Sequence, residues 1–363
     1  MRQISSKKWV FLVLVVTGGI YIGCLALVMV IDPYMHYRIP ENGLSYALTA
    51  RNQRYQNDGF IRHFNYDAII TGTSMTENFK TTEFDKMFNA DSIKVPFSGG
   101  SYKEVNGTCK RALEVHPDLK IILRSLDLSM LVKDKNSSRY NNYPEYLYNE
   151  SLLDDVNYWL NKMAILEGCM QNVIFHSMAS KSKESFLDSF SFDEYSSWQK
   201  YHVFGKESVL EDYVRPEKNS RKVKLTREEK DMIYDNISQN VTELASDFQN
   251  TKFLLFFTPY SICYWDSLDR EGKLEWEFEA QRVAIEEILK YDNIELYSFC
   301  NNFEMVCDLN NYKDIAHYSE EVNSWMLEWI CEGKYRLTKE NYKDYLNEIK
   351  KFYTLYDYER IFA

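Results

Sequence analysis

The chain has no excess of basic residues; its formal net charge is −11. Without a basic stripe to neutralise phosphates, nucleic acid is excluded as the main partner, and cationic or neutral partners stay open. C-x-x-C is missing too: Cys24, Cys109, Cys169, Cys263, Cys300, Cys307 and Cys331 are scattered along 363 residues. That spacing excludes a dense disulfide scaffold and, with no histidine cluster at ligand spacing, a structural zinc site, so no metal and no cofactor is expected. Cys300 and Cys307 are the one pair close enough to close a short loop outside a cell, and two buried free thiols fit equally well. No small-x-small cleavage site follows the N-terminal apolar run, which argues against a cleaved signal peptide.

That run is the one long hydrophobic stretch. From Trp9 to Ile31 no charged residue occurs, and at about 1.5 Å per residue the segment crosses a hydrocarbon core of roughly 30 Å. Arg2, Lys7 and Lys8 precede it and Asp32 follows, so the positive-inside bias predicts a cytoplasmic N-terminus and an extracytoplasmic remainder. The run continues past Cys24 to Ile31, with Tyr21 upstream, which disfavours lipid attachment at that cysteine. The remainder, with 45% hydrophobic residues across the chain, is ample for a core of one large or two ordinary domains. The many tyrosines and phenylalanines would suit sugar-binding or amphipathic surfaces, but AT-rich coding explains them more simply.

Beyond a polar, aromatic linker at 32–64, the pattern alternates strand and helix. Candidate strands are Asp67–Thr71, Ser92–Pro96, Leu119–Leu126, Lys252–Thr258 and Ile294–Phe299. Helices are predicted over Glu77–Phe88, Tyr102–Val115, Arg227–Phe248, Glu271–Tyr291 and Ser319–Ile330, with Thr226 as a cap and Glu228 and Glu229 in the first turn after it. This order predicts an α/β fold with a parallel sheet covered by helices on both faces. Residues 130–225 break the alternation and read as an insertion over the sheet, and 336–363 read as a helical extension.

Two motifs carry chemistry. Ser74, in Thr71-Gly72-Thr73-Ser74-Met75, falls where a strand turns towards a helix. Asp314-Ile315-Ala316-His317 places a carboxylate three residues before a histidine, after the last strand and before a helix. Open α/β sheets gather such loops at the carboxyl ends of their strands. There Ser74 would be the nucleophile, His317 its base, and Asp314 the group that accepts the Nδ1–H hydrogen bond and leaves Nε2 facing the serine. Phe97-Ser98-Gly99-Gly100-Ser101, between a strand and a helix, would turn backbone N–H groups towards a developing oxyanion.

With these residues in this order, the chain resembles the SGNH (GDSL-like) hydrolase superfamily, and within it the membrane-anchored DltD-like and alginate-acetylation-type proteins. The resemblance covers roughly residues 65–331, resting on Ser74 in G-T-S, on Gly99 or Gly100, and on Asp314 with His317 in D-x-x-H. It implies a three-layer SGNH-like (flavodoxin-like) domain at 65–335 behind the transmembrane helix. It also implies acyl-ester chemistry, as an O-acyltransferase or esterase, on a cell-envelope polysaccharide or teichoic-acid-like polymer. A membrane-bound O-acyltransferase is the implied partner. The chain departs from the family at Arg124-Ser125-Leu126-Asp127, where the family usually has Gly-x-Asn; a carboxylate at Asp127 would repel an oxyanion unless protonated or paired, Arg124 being the nearest candidate. A non-catalytic envelope assembly factor that keeps the fold is the alternative this departure raises.

Of the other histidines, His63, His116, His176 and His202 have no partner at catalytic or metal spacing and read as satisfied surface residues. The run Tyr260-Ser261-Ile262-Cys263-Tyr264-Trp265 would line an acceptor cleft or cover the core, the second being favoured.

Overall fold

A computed structural model describes residues 5–39, 53–139, 143–149, 151–170, 173–174 and 191–363. The chain divides into two compact units, one of residues 1–64 with 142–191 and one of residues 65–141 with 192–363. The segment expected as a single insertion, 130–225, is therefore shared between the two. His176 lies outside the described residues.

In the first unit a 26-residue helix, Ser6–Ile31, is long and apolar enough to cross a membrane, and its most apolar window is exposed. It stops at Asp32, in the left-handed region at φ 48°. The Asp32 carboxylate accepts the N–H groups of His36, Tyr37 and Arg38 and the Tyr158 hydroxyl. Orphan donors of the turn that follows are thereby satisfied at the point where the chain leaves the helix. Val28, Ile31, Tyr34, Leu147, Tyr158, Ala164 and Cys169 form the core beside it. The 32–64 segment also holds a helix, Gln53–His63, absent from the sequence reading because its residues are mostly polar and show no apolar period.

The second unit is built on a six-stranded sheet: β1 (Ala68–Thr71), β2 (Ser92–Lys94), β3 (Ile121–Leu126), β4 (Lys252–Phe257), β5 (Ile294–Ser298) and β6 (Arg336–Leu337). Its order is β2-β1-β3-β4-β5-β6, with β1 to β5 parallel and β6 antiparallel. All five expected strands form, each slightly shorter than its apolar run. β1 is buried throughout, as both faces of a parallel strand must be when helices cover them. The two-residue β6 is too short to show a period, so no sequence pattern marks it.

Right-handed crossovers place the connection from β1 to β2 on one face and those from β2 to β3, β3 to β4 and β4 to β5 on the other. Helix Thr81–Phe88 accordingly packs with Glu320–Cys331, while Tyr102–Val115, the run from Arg227 to Asp247, and Leu274–Ile288 make the second layer. Capping boxes start two of these helices, Ser101 with Glu104 and Thr226 with Glu229. The helix expected over Glu271–Tyr291 forms as Leu274–Ile288, and a separate helix not read from the sequence, Ile262–Arg270, precedes it across Gly272 at φ 71°.

A fully buried carboxyl group sits in the second layer. Glu277 accepts from the Tyr264 hydroxyl at 3.1 Å and the Gln281 amide at 3.0 Å, yet burial outweighs both donors and pushes it up to about 7. Because the folded state holds this proton more tightly than the unfolded chain, the stabilisation is complete below the ordinary Glu range and is lost as pH rises through about 7. Ionisation therefore costs the fold roughly 3 kcal/mol at pH 8. Glu277→Gln is expected to match wild type in thermal midpoint near pH 4 and to exceed it at pH 8. A difference that does not change with pH would refute this.

Candidate active site

β1 ends at Thr71 and the chain turns through Gly72 and Thr73 into a single 3-10 turn, Ser74–Thr76. β1 lies between β2 and β3, where the order of the sheet reverses, which is where ligands bind in open α/β sheets. Gly72 adopts φ 146°, open to glycine, and its carbonyl accepts the Phe97 N–H at 2.7 Å. Thr73 caps the turn, its hydroxyl accepting the Met75 N–H at 3.4 Å and donating to Asp127 Oδ2 at 2.8 Å. Other elements hold the turn's carbonyls: the Trp198 indole N–H donates to Ser74 O at 3.2 Å, and Tyr318 and Asn323 donate to Met75 O at 3.1 and 3.3 Å. The buried Lys94 ammonium then donates to Glu77 O and Phe79 O just beyond.

The structure brings Ser74, His317 and Asp314 together. Ser74 Oγ lies 2.8 Å from His317 Nε2, and His317 Nδ1 lies 2.8 Å from Asp314 Oδ2 and 3.0 Å from Oδ1. Burial pushes Asp314 up, but the His317 ring and the N–H groups of His317 and Ala316, at 2.8 and 2.9 Å from Oδ1, outweigh it and hold the carboxyl at about 2. An ionised carboxylate accepts only, so Nδ1 carries the proton and Nε2 is left to accept the Ser74 hydroxyl. The D-x-x-H loop is closed by Lys313 N–H on His317 O and by the pairing of Tyr312 with Tyr318. Side chains of His317 and Asp314 are 27% and 26% exposed, so the relay reaches solvent.

Asp127 is paired, but not with Arg124. Arg124, on β3, is buried and donates to Asn106 Oδ1 and Tyr102 O. Asp127 instead accepts from Thr73 Oγ1 and, at 3.0 Å, from the Tyr260 hydroxyl. Burial raises Asp127, while these hydroxyls and the nearby His317 lower it; burial also keeps Tyr260 protonated as a donor. The carboxylate thus fixes the cap of the Ser74 turn.

The Phe97–Ser101 loop distinguishes the two glycines. Gly100 N–H is committed to Phe97 O at 2.7 Å. Gly99 sits at φ 62°. Among the described residues neither the Gly99 nor the Ser74 N–H has a protein acceptor. Within the Ser74 turn and the Gly99–Gly100 pair, these are the N–H groups left uncommitted.

Sequence reasoning missed Thr73, Tyr260, Trp198, Tyr318 and Asn323. Trp198 belongs to the segment after 191, meets His317 edge-on with ring centroids 5.6 Å apart, and carries the Lys313 ammonium 4.5 Å from its own ring. Only Thr73, next to the serine, had a local signal as a capping residue. The Tyr260 run is mostly core cover, with Ile262, Cys263 and Trp265 buried. His202 is exposed beside Lys313 Nζ at 3.5 Å, His63 faces His36 O at 3.3 Å, and His116 contacts the Tyr66 ring. Cys300 and Cys307 are free thiols that burial pushes up to about 12 and 11. Among the described residues no group of three or more His, Cys, Asp or Glu is arranged to hold a metal ion. No protein-family model matches the chain, and comparison with curated proteins finds no relative.

Proposed function

We propose that the chain is a membrane-anchored, extracytoplasmic serine enzyme of the SGNH (GDSL-like) kind, acting on acyl esters of a cell-envelope polymer. The observation that carries this reading is the relay from Ser74 through His317 to Asp314, in hydrogen-bond contact at both steps. Ser74 Oγ attacks the ester carbonyl while His317 Nε2 takes its proton, and the C–O bond breaks as His317 returns that proton to the leaving alcohol. Attack on the acyl-serine by water gives hydrolysis, and attack by a sugar hydroxyl gives transfer. The Ser74 and Gly99 N–H groups are the donors offered to the tetrahedral oxyanion. An anchor that keeps the site beside its polymer favours transfer, with a membrane-bound O-acyltransferase, as in DltD-like proteins, as donor partner.

A non-catalytic assembly factor is the second reading, favoured by Asp127, a carboxylate in the place where the family's asparagine amide would donate. A fluorophosphonate probe separates the two. Wild type is expected to label and Ser74→Ala to remain unlabelled; a wild type that stays unlabelled across the pH range would sink the enzyme reading. The topology has its own test in the exposed Cys331. An impermeant maleimide is expected to modify it in intact cells and to lose that signal in Cys331→Ser. Protection until the cells are lysed would overturn the extracytoplasmic placement.

A further inference from the structure

A cavity of about 560 Å³ opens past the ends of β5 and β6, lined by Asn301, Tyr335, Arg336, Asn341, Asp344 and Glu348 among others. β6 runs antiparallel to β5 with Arg336 opposite Tyr297, so Tyr335 and Asn301 emerge at the carboxyl edge that also carries Ser74. β1 and β6 are separated by β3, β4 and β5, which puts the cavity roughly 20 Å along that edge from the strand of the serine.

Its lining combines an aromatic face with both hydrogen-bonding senses. Tyr335 is held at φ 60°, an unusual conformation for an aromatic residue, with its carbonyl accepting the Ser298 N–H at 3.1 Å. Its ring leads out to Trp329, with centroids 5.2 Å apart, and from there to Trp325 at 6.4 Å, which is 39% exposed. Among the described residues the Tyr335 hydroxyl and Asn301 Oδ1 have no protein partner. Glu348 accepts the Asn301 amide at 3.0 Å, and Arg336 is already paired with Glu295 at 3.2 Å.

We propose that this cavity and the aromatic track from Tyr335 to Trp325 form a second binding site, for a neutral glycan. The apolar face of a sugar ring packs on aromatic rings, and its hydroxyls need donors and acceptors together, which Arg336, Tyr335, Asn301, Asp344 and Glu348 supply. Two carboxylates, with the one guanidinium already neutralised, select against phosphate or uronate polymers. A row of three rings suits a chain of sugars more than a single one. The site stands apart from the chemistry proposed for Ser74. Sharing its edge of the sheet, it would hold a glycan within reach of the serine.

The test is calorimetric titration of the full chain in nanodiscs with short neutral oligosaccharides, in parallel with oligouronate, oligo-glycerol phosphate and oligolysine. Neutral oligosaccharides are expected to bind wild type and Ser74→Ala alike. Tyr335→Gly, which suits the positive φ and so keeps the fold, should weaken binding by about tenfold or more while leaving fluorophosphonate labelling at the wild-type rate. Glu348→Ala should also weaken it. Three results would overturn the proposal: no neutral oligosaccharide binding up to about 10 mM, tighter binding of an anionic or cationic oligomer, or binding unchanged in both variants.

Discussion

His317→Ala is expected to slow fluorophosphonate labelling of Ser74 by on the order of 10⁴-fold while the thermal midpoint stays close to wild type. The kinetic loss is large because an unassisted serine hydroxyl is barely nucleophilic near neutral pH, and Nε2, 2.8 Å from Oγ, is the base in contact with it. The stability loss is small for a separate reason. The Asp314 carboxylate keeps its bonds from the N–H groups of Ala316 and His317, which an alanine at 317 still supplies, so the loop retains its local geometry. A partly exposed imidazole with two side-chain partners contributes about 1 kcal/mol to folding. Asp314→Asn should lose a comparable factor in rate, since its amide can donate to Nδ1 and favour the wrong tautomer. Labelling of His317→Ala at the wild-type rate would remove the histidine from the mechanism. A collapse in thermal midpoint would make it structural.

Gly72→Ala is expected to destabilise the sheet unit by about 3–5 kcal/mol, the largest effect foreseen for a single added methyl group. Three costs coincide there. The backbone φ of 146° is strained for any L side chain. A Cβ would collide with Ser125 Oγ and lie 2.7 Å from Thr76 Cγ2 and 3.1 Å from Ser125 Cβ, so the buried Ser125 and Thr76 side chains would have to shift. Ser125 Oγ also accepts the Thr73 N–H at 3.3 Å, a bond that such movement breaks. Steric conflict with Ser125 can be separated from backbone strain, because Ser125→Ala in the same chain removes the closest atom and should restore part of the loss. A Gly72→Ala variant within 1 kcal/mol of wild type in chemical denaturation would show that the turn is softer than this packing implies.

The contrast between these two sites explains what could be read in advance. Ser74, Asp314 and His317 were legible because each belongs to a local pattern: a turn after an apolar strand, and a carboxylate three residues before a histidine. Strands β1 to β5 were legible because a parallel strand buried on both faces leaves an apolar run, and the helix start at Arg227 because Thr226 caps it with glutamates in the first turn. Asp127 was noticed as a departure, but its partners were assigned to the wrong neighbour. Arg124 is close in sequence, whereas the hydroxyls that bind the carboxylate come from Thr73 and from Tyr260, 133 positions away.

The sequence by itself determined an apolar helix of membrane-crossing length, an alternating α/β order and the two motifs that hold Ser74 and Asp314 with His317, because each depends on residues within one turn or one strand. The tertiary structure decided that those side chains meet, that Gly99 and not Gly100 keeps its N–H available, and that Trp198 closes over the histidine. It also decided that residues 142–191 group with 1–64. These depend on contacts across tens to hundreds of positions. No local periodicity records such contacts, since they arise only when packing brings separate crossovers to one edge of the sheet.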